Sequence, residues 1–347
     1  MELLILFLAI LILPFIAFYI YPIKFVQNLE TSDIVLEPPK FYLYSYVFHI
    51  HTQFSYDSLG KPEDVFKARD EEKINFLIVT DHEVDFFKFF EDEKTIVGVE
   101  KKINGSRGKL LGDLIEVGDI KVISHHFKKK YRWRLERNEE YIFELINLKD
   151  ALVENRRGLF FYLFLGIFLY PTLKKAYIKN FVKTINLEKY IKSYLKEGWK
   201  NKIIGGLDHH VKVYIREVGI RFLFPSYKFS FSLLRNFLIS KRPIRDRKDF
   251  LNAIKREKNV ISFSSKPTLF WLEDSTLYVY SPFPRTLIRV FSKDNVKSFH
   301  GSNLKLKLSK GTYLVCGYTY AFRIGRLFFG LKPLFLSDLI IIKEEER

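Results

Sequence analysis

From residue 47 to residue 207, short apolar runs recur, and most of them end at histidine or carboxylate residues. Val47-Phe48-His49-Ile50-His51 and the runs at 76–79, 95–99, 120–124, 141–146 and 203–207 have the length and β-branched or aromatic content of buried strands. Between the first two, Pro62 suits a first helical turn and residues 63–73 continue with helix formers. Strand, helix and strand at that spacing form a βαβ unit, so the pattern predicts a parallel α/β domain, barrel-like or open.

After about Lys258 the pattern shortens to β-rich segments at 260–263, 276–280, 286–291, 304–308, 312–318 and 339–342. Leu304-Lys305-Leu306-Lys307-Leu308 alternates strictly, which predicts a strand with one wet face. Ser309-Lys310-Gly311 then reads as a hairpin turn into the next strand. This tail, 259–347, is expected to be a small antiparallel β-domain beside a catalytic domain over 41–258.

Residues 3–21 are almost unbroken apolar sequence, interrupted by Pro14. Roughly 20 such residues cross a bilayer as a helix, so 1–24 reads as a single-pass transmembrane anchor. The alternative, a cleaved signal, lacks a basic start and a small-x-small site. Residues 25–40, with Pro38-Pro39, read as a linker. Glu2 and Lys24 give little charge asymmetry, and the leaning is extracytoplasmic. A second apolar run, 158–170, lies between Arg156-Arg157 and Lys174-Lys175. Runs of about 10–14 residues do not span, so this one is expected to be interfacial or a buried core helix.

The chain has 347 residues, 48% of them hydrophobic, which excludes general disorder. Its net charge of +17 suits an anionic neighbour, such as a phosphate substrate, nucleic acid or lipid, or else a lysine-rich solvated surface. The single cysteine, Cys316, excludes an internal disulfide and a cysteine-based zinc site.

All but His300 of the eight histidines fall in His49-Ile50-His51, Thr80-Asp81-His82, Ser124-His125-His126 and Asp208-His209-His210. His49 and His51, two apart on a strand, share a face. Asp57 follows on the loop, Glu100 ends the third run, and Asp208 and His210 repeat the two-apart spacing. Imidazoles and carboxylates are the usual ligands of divalent ions, and so many of them imply two or three metals. Taken singly, each residue has a plainer reading: Asp81 as a helix cap, Glu100 as an ion-pair partner of Lys101 or Lys102. His126 and His209 read as outward-facing strand residues. Arg107, Lys109 and the run Lys128-Lys129-Lys130-Tyr131-Arg132-Trp133-Arg134 are candidates for holding an anionic substrate. The interleaved aromatics also admit single-stranded nucleic acid, which is not favoured over a solvated basic loop.

His49-x-His51-Thr52-x-x-Ser55-x-Asp57, Thr80-Asp81-His82, Gly98-Val99-Glu100, His125 and Asp208-x-His210 resemble the PHP (polymerase and histidinol phosphatase) family of metallohydrolases. Phe224-Pro225-Ser226-Tyr227, the helix at 251–256 and the β-rich tail more loosely resemble its CehA/McbA branch. The resemblance implies an α/β fold: a distorted (β/α)7 PHP-type barrel, here with an N-terminal transmembrane helix and a small C-terminal antiparallel β-domain. It implies manganese, zinc or iron held by His49, His51, Asp57, His82, Glu100, His125, Asp208 and His210. The implied activity is a metal-dependent phosphoesterase that activates water, acting on a small phosphorylated substrate such as a phosphomonoester or nucleotide. Hydrolysis of carboxylic ester, carbamate or amide bonds by the same cluster is the alternative, as is a non-catalytic metal-containing binding protein. Two departures stand out. No histidine occurs between His82 and His125, with Lys109 in the segment where the family often has one, and His126 replaces a common proline.

Overall fold

The structure, a computed structural model, describes residues 12–13, 16–217 and 220–343. Most of the expected anchor, 1–24, lies outside the described residues.

Seven strands follow one another in space as in sequence: β1 (Tyr42–Ile50), β2 (Phe76–His82), β3 (Thr95–Asn104), β4 (Leu110–Val117), β5 (Ile120–Ser124), β6 (Ile142–Asn147) and β7 (Ile203–Gly206). β1, β2 and β3 pair in parallel, as do β5, β6 and β7, while β4 is antiparallel to both its neighbours. Just past β7 the chain returns to β1. The N–H groups of Leu207 and His209 donate to Phe48 and His49, and that of His51 donates to His209. The ring of seven is therefore closed by hydrogen bonds.

Alternate side chains fill its interior. Tyr46, Phe48, Ile78, Ile115, Val117, Val122, Ile142 and Ile204 form one buried cluster. Phe250 and Ile254, from the helix Arg247–Arg256, belong to the same cluster, and Phe250 stacks on Phe76 at 4.0 Å. The intervening residues, such as Val47, Leu77 and Phe143, join a second cluster with the surrounding helices. Those helices are α1 (Pro62–Glu72), α2 (Leu148–Glu154), α3 (Arg156–Ile178) and α4 (Leu187–Lys196).

The tail is antiparallel and β-rich, but the sheet does not stop at residue 258. Arg235–Ser240 pairs with both β1 and Lys258–Ser262, and the latter pairs with Lys332–Ser337. One 15-stranded sheet thus runs through both halves. Two sequence expectations change here. Asn303–Lys307 pairs with Thr276–Tyr280 and not with Gly311–Thr319, so Ser309-Lys310-Gly311 is no hairpin turn. The stretch expected as a linker contains Leu29–Thr31, which adds in parallel to Val296–His300. Its backbone groups are satisfied by an open sheet edge, which a local reading cannot foresee.

The internal apolar run is longer than its composition suggested. α3 covers 23 residues, long and apolar enough to cross a membrane, with only 17% of its most apolar stretch buried. Asn155 caps it by accepting from the Gly158 N–H, and its regular path breaks at Lys174, past Pro171. The buried-core alternative therefore fails for most of its surface. Phe160, Phe164, Ile167 and Phe168 are exposed, while Tyr162, Leu165 and Leu169 pack inward. Phe18, from the described part of the N-terminal segment, stacks on Tyr177 at 5.3 Å and touches Tyr162.

Candidate metal centre

All eight residues expected as ligands come from the C-terminal halves of ring strands or the loops that follow them, and the structure brings them together. Glu100 sits in the middle. Its carboxylate oxygens lie 3.3 Å from His49 Nε2, 3.3 Å from His51 Nε2, 3.0 Å from His82 Nδ1 and 3.2 Å from His125 Nε2. Asp208 faces the same space, 3.9 Å from His49, 3.6 Å from His51 and 3.7 Å from His125. Asp57 lies to one side, 3.0 Å from His210 Nε2 and 3.6 Å from His82 Nε2.

Each imidazole but one is oriented by a partner behind it. His49 Nδ1 donates to Glu144 Oε1 at 2.6 Å, and His125 Nδ1 to Asp150 Oδ2 at 2.7 Å. His51 Nδ1 meets Ser55 Oγ at 3.1 Å, and His210 Nδ1 donates to the Asp208 carbonyl at 3.0 Å. A carboxylate or carbonyl partner holds the proton on Nδ1 and leaves the Nε2 lone pair facing inward. His82 lacks such a partner; its ring stacks between His51 and Tyr56, 4.3 and 4.9 Å away.

The donor set fits divalent ions on a direct observation. His49 Nε2, His51 Nε2, His210 Nε2, Glu100 Oε2, Asp208 Oδ2 and Asp57 Oδ1 are all buried and make no well-aligned hydrogen bond, although they crowd against one another, His82, His125 and Lys149 at 3.0–3.9 Å. Orphaned buried polar atoms are rare, because each costs about 1–3 kcal/mol. Their lone pairs converge on shared points, in the groups His51–His82–His210, His49–His51–Glu100 and His49–His125–Asp208. Coordination satisfies such atoms where hydrogen bonding does not.

Backbone strain marks the same residues. His49, His125 and Asp208 have φ of 66°, 53° and 46°, in the left-handed region that costs non-glycine residues about 1–3 kcal/mol each. At His49 this creates a bulge, so that Phe48 and Ile50 join different apolar clusters although they are two apart. The shared face expected for His49 and His51 is thus reached through a bulge and not through plain alternation.

Electrostatics point the same way. Burial disfavours every charge in the cluster, yet Glu100 and Asp208 are held well below the ordinary carboxylate range by the histidines around them. Burial likewise opposes protonation of His49, but Glu144 and Glu100 raise its pKa to about 10. His51, which burial dominates, falls to about 3. In the metal-free cluster, protons on His49 and His125 balance buried carboxylates. Divalent ions supply that balance in another form.

Several residues at the centre carried no usable signal in the sequence. Asp113, on β4, groups with Glu100 and His125, and burial together with the Glu100 charge raises its pKa to about 7. It stands near where the absent histidine was noted. Glu144 and Asp150 orient histidines, and Lys149 Nζ lies 3.1 Å from Asp208 Oδ2. Asn147 ends β6 and caps α2 by accepting from the Asp150 N–H, so the first turn of α2 delivers Lys149 and Asp150 to the centre. Asp81 is not a helix cap; it accepts from the Thr52 N–H and hydroxyl and from Ser55, and so holds the loop after β1.

Arg107 and Lys109 are exposed on the turn between β3 and β4 and make no hydrogen bond or ion pair with the eight residues. His126 and His209 correct the outward-facing expectation, since both are buried. His126 pairs with Glu197 at 2.9 Å among Phe143 and Trp199, and His209 bonds Ser230 at 2.7 Å under Tyr227. The basic loop is tied down by its own contacts, Lys128 to Asp150 and Arg132 to Glu197.

Gly206 is the position where a missing side chain matters most. A Cβ there would stand 1.6 Å from Glu144 Oε1 and 3.1 Å from His49 Cβ. Gly206→Ala should push Glu144 off His49 and weaken metal binding roughly 10- to 100-fold, as loss of an orienting partner does. Metal titration by calorimetry checks this; unchanged affinity would show that Glu144 does not orient His49.

No family model and no curated protein matches the chain. Among solved structures, it is similar to a crystal structure from Bacteroides vulgatus ATCC 8482, a two-domain protein containing a predicted PHP-like metal-dependent phosphoesterase. The two are 13% identical over 90% of this chain and 99% of that one, with a TM-score of 0.32. At that score the likeness carries no argument about this chain.

Proposed function

We propose that this protein is a metal-dependent hydrolase of phosphoesters, built on a PHP-type barrel and held at a membrane. The observation that carries the reading is the set of orphaned, inward-facing nitrogens and oxygens at the ring's strand ends. Two or three divalent ions, of manganese, zinc or iron, fit it, with His49, His51, Asp57, His82, Glu100, His125, Asp208 and His210 as holders and Asp113 added beside Glu100 and His125. When bound, such ions lower the pKa of water and neutralise charge on phosphoryl oxygens.

The chain's own residues do the rest. Glu144 and Asp150 fix the His49 and His125 rings. Lys149 and Lys212 place cations at the edge of the centre, beside Asp208 and Asp57, where a phosphoryl group's charge is held. Membrane attachment is supported by the apolar N-terminal segment, whose Phe18 packs on α3, and by the exposed apolar face of α3 itself.

The test is a substrate panel with manganese- or zinc-loaded protein. Phosphate release from phosphoesters, abolished by Asp208→Asn, is the expected result. Turnover of carboxylic esters or carbamates without any phosphoester would overturn the substrate claim. Full metal loading with no turnover of either class would leave a metal-containing binding protein.

A further inference from the structure

A cleft of about 700 Å³ opens directly off the centre, sharing Asp208, His210 and Lys149 with it. Away from that end its walls are mostly apolar: Leu152 from α2, Leu163 and Tyr170 from α3, Phe181, and Leu223 and Phe229 from the segment after β7. Pockets of roughly 300–1,000 Å³ enclose whole small ligands. Lys149, Asp208, His210 and Lys212 line the cleft where it meets the centre, and His209, Ser226 and Ser230 are further polar residues of its lining. A phosphorylated nucleoside or sugar would find little on the apolar walls to pair with its hydroxyls or base edges, and burying them unpaired is costly.

The mouth of the cleft is apolar as well. α3 lines it with one face and exposes Phe160, Phe164 and Ile167 on another. Opposite, the hairpin of Val213–Glu217 and Ile220–Phe224 lends Phe222 and Phe224, which both line the cleft and are about half exposed, at 48% and 52%. Arg156-Arg157 and Lys174-Lys175 bracket the apolar part of α3, the arrangement of helices that lie in a headgroup layer. The N-terminal apolar segment joins this same helix through Phe18.

We infer that the substrate is a membrane-resident lipid phosphate, its phosphoester at the Asp208–His210–Lys149 end and its hydrocarbon chain in the cleft beside α3. This rests on the phosphoester reading above and adds the class of leaving group. The P–O bond to the lipid breaks as a water oxygen bonds to phosphorus. The leaving alkoxide takes up a proton, giving a lipid alcohol and inorganic phosphate. α3 and the hairpin, seated at the bilayer surface, let the chain pass from membrane to cleft without crossing water.

The test uses the metal-loaded full chain and butyl, octyl and dodecyl phosphate, each below its micelle concentration. kcat/KM should rise roughly three- to fourfold per added methylene until the cleft is filled. Leu163→Trp, at a half-exposed position on the cleft wall, should lower the dodecyl-to-butyl ratio at least tenfold. Equal kcat/KM along the series would overturn the inference and point to a cleft filled by another part of this chain or by a partner. Phosphate should also be released from phosphatidic acid in phosphatidylcholine vesicles; turnover of the soluble esters alone would overturn the membrane source. Binding of dodecylphosphonate, measured by calorimetry on metal-depleted protein, separates the two readings. Tight binding with no turnover of any phosphoester keeps the apolar site and sinks the phosphoesterase. Turnover of butyl phosphate with no preference for dodecylphosphonate over butylphosphonate does the reverse.

Discussion

Glu100→Gln should empty the centre. Glu100 is the carboxylate that faces His49, His51, His82 and His125 at 3.0–3.3 Å, whereas Asp208 faces three of these four at 3.6–3.9 Å and Asp113 groups only with His125. An amide keeps the shape but removes the negative charge and points N–H donors at imidazole lone pairs. Losing a partner that only orients a ligand costs roughly 10- to 100-fold in metal affinity. Removing a carboxylate at the meeting point should exceed that range, with turnover falling to background. The fold should survive, because the apolar interior under the centre is untouched. In the metal-free protein the loss should stay below about 3 kcal/mol, since His49 can shed the proton that Glu100 had balanced. Metal content by elemental analysis and stability by urea unfolding measure the two effects. Full metal occupancy in a folded Glu100→Gln protein would remove Glu100 from the ligand set.

Metal removal should change both the size of the stability and its dependence on pH. Ions that bind only the folded chain stabilise it by about 4 kcal/mol at a thousand times their dissociation constant, so chelation should lower Tm by several degrees. In the chelated protein, His49 has a folded pKa of about 10 against an ordinary 6.5, raised by Glu144 and Glu100 against the effect of burial. Between these values the folded state binds more protons than the unfolded one, so stability is lost as pH climbs from 6.5 towards 10. Loading metal displaces that proton. The loaded protein should lose this slope, and apparent metal affinity should rise with pH over the same window. Thermal melts with and without chelator across the window read both. A slope that persists unchanged in loaded protein would show that His49 and His125, both raised by the carboxylates around them, keep their protons and are not ligands.

Much of this centre was legible because ligand chemistry and strand length are local properties. A histidine or carboxylate at the end of a buried apolar run is visible without knowing what the run packs against. The eight candidates, seven named from such positions and Asp57 from the loop after the first run, do meet in space. Groups that act across the fold were less visible. Glu144 lies inside an apolar run, and 95 residues separate it from the His49 nitrogen it orients. Lys149 and Asp150 look like an ordinary first helical turn until α2 is placed against the ring. Arg107 and Lys109 looked suitable for an anion by charge alone; they are exposed on their turn and make no hydrogen bond or ion pair with the eight residues. His126 and His209 show the converse error, since hydrogen bonds with Glu197 and Ser230 let a polar ring stay buried.

From the chain of residues alone came the run of strands, the gathering of ligand types at their ends, and the break in pattern near residue 258. These follow from side-chain period and chemistry, which a strand displays wherever it is placed. Tertiary structure alone decided the closure of the ring at Phe48, His49 and His209, the bulge that turns His49 inward, and the continuity of the sheet across 258. It also decided that α3 would wall a cleft and leave its other face bare. Those outcomes depend on contacts between segments distant in sequence, where backbone hydrogen bonds and buried area are shared by partners that no local pattern names.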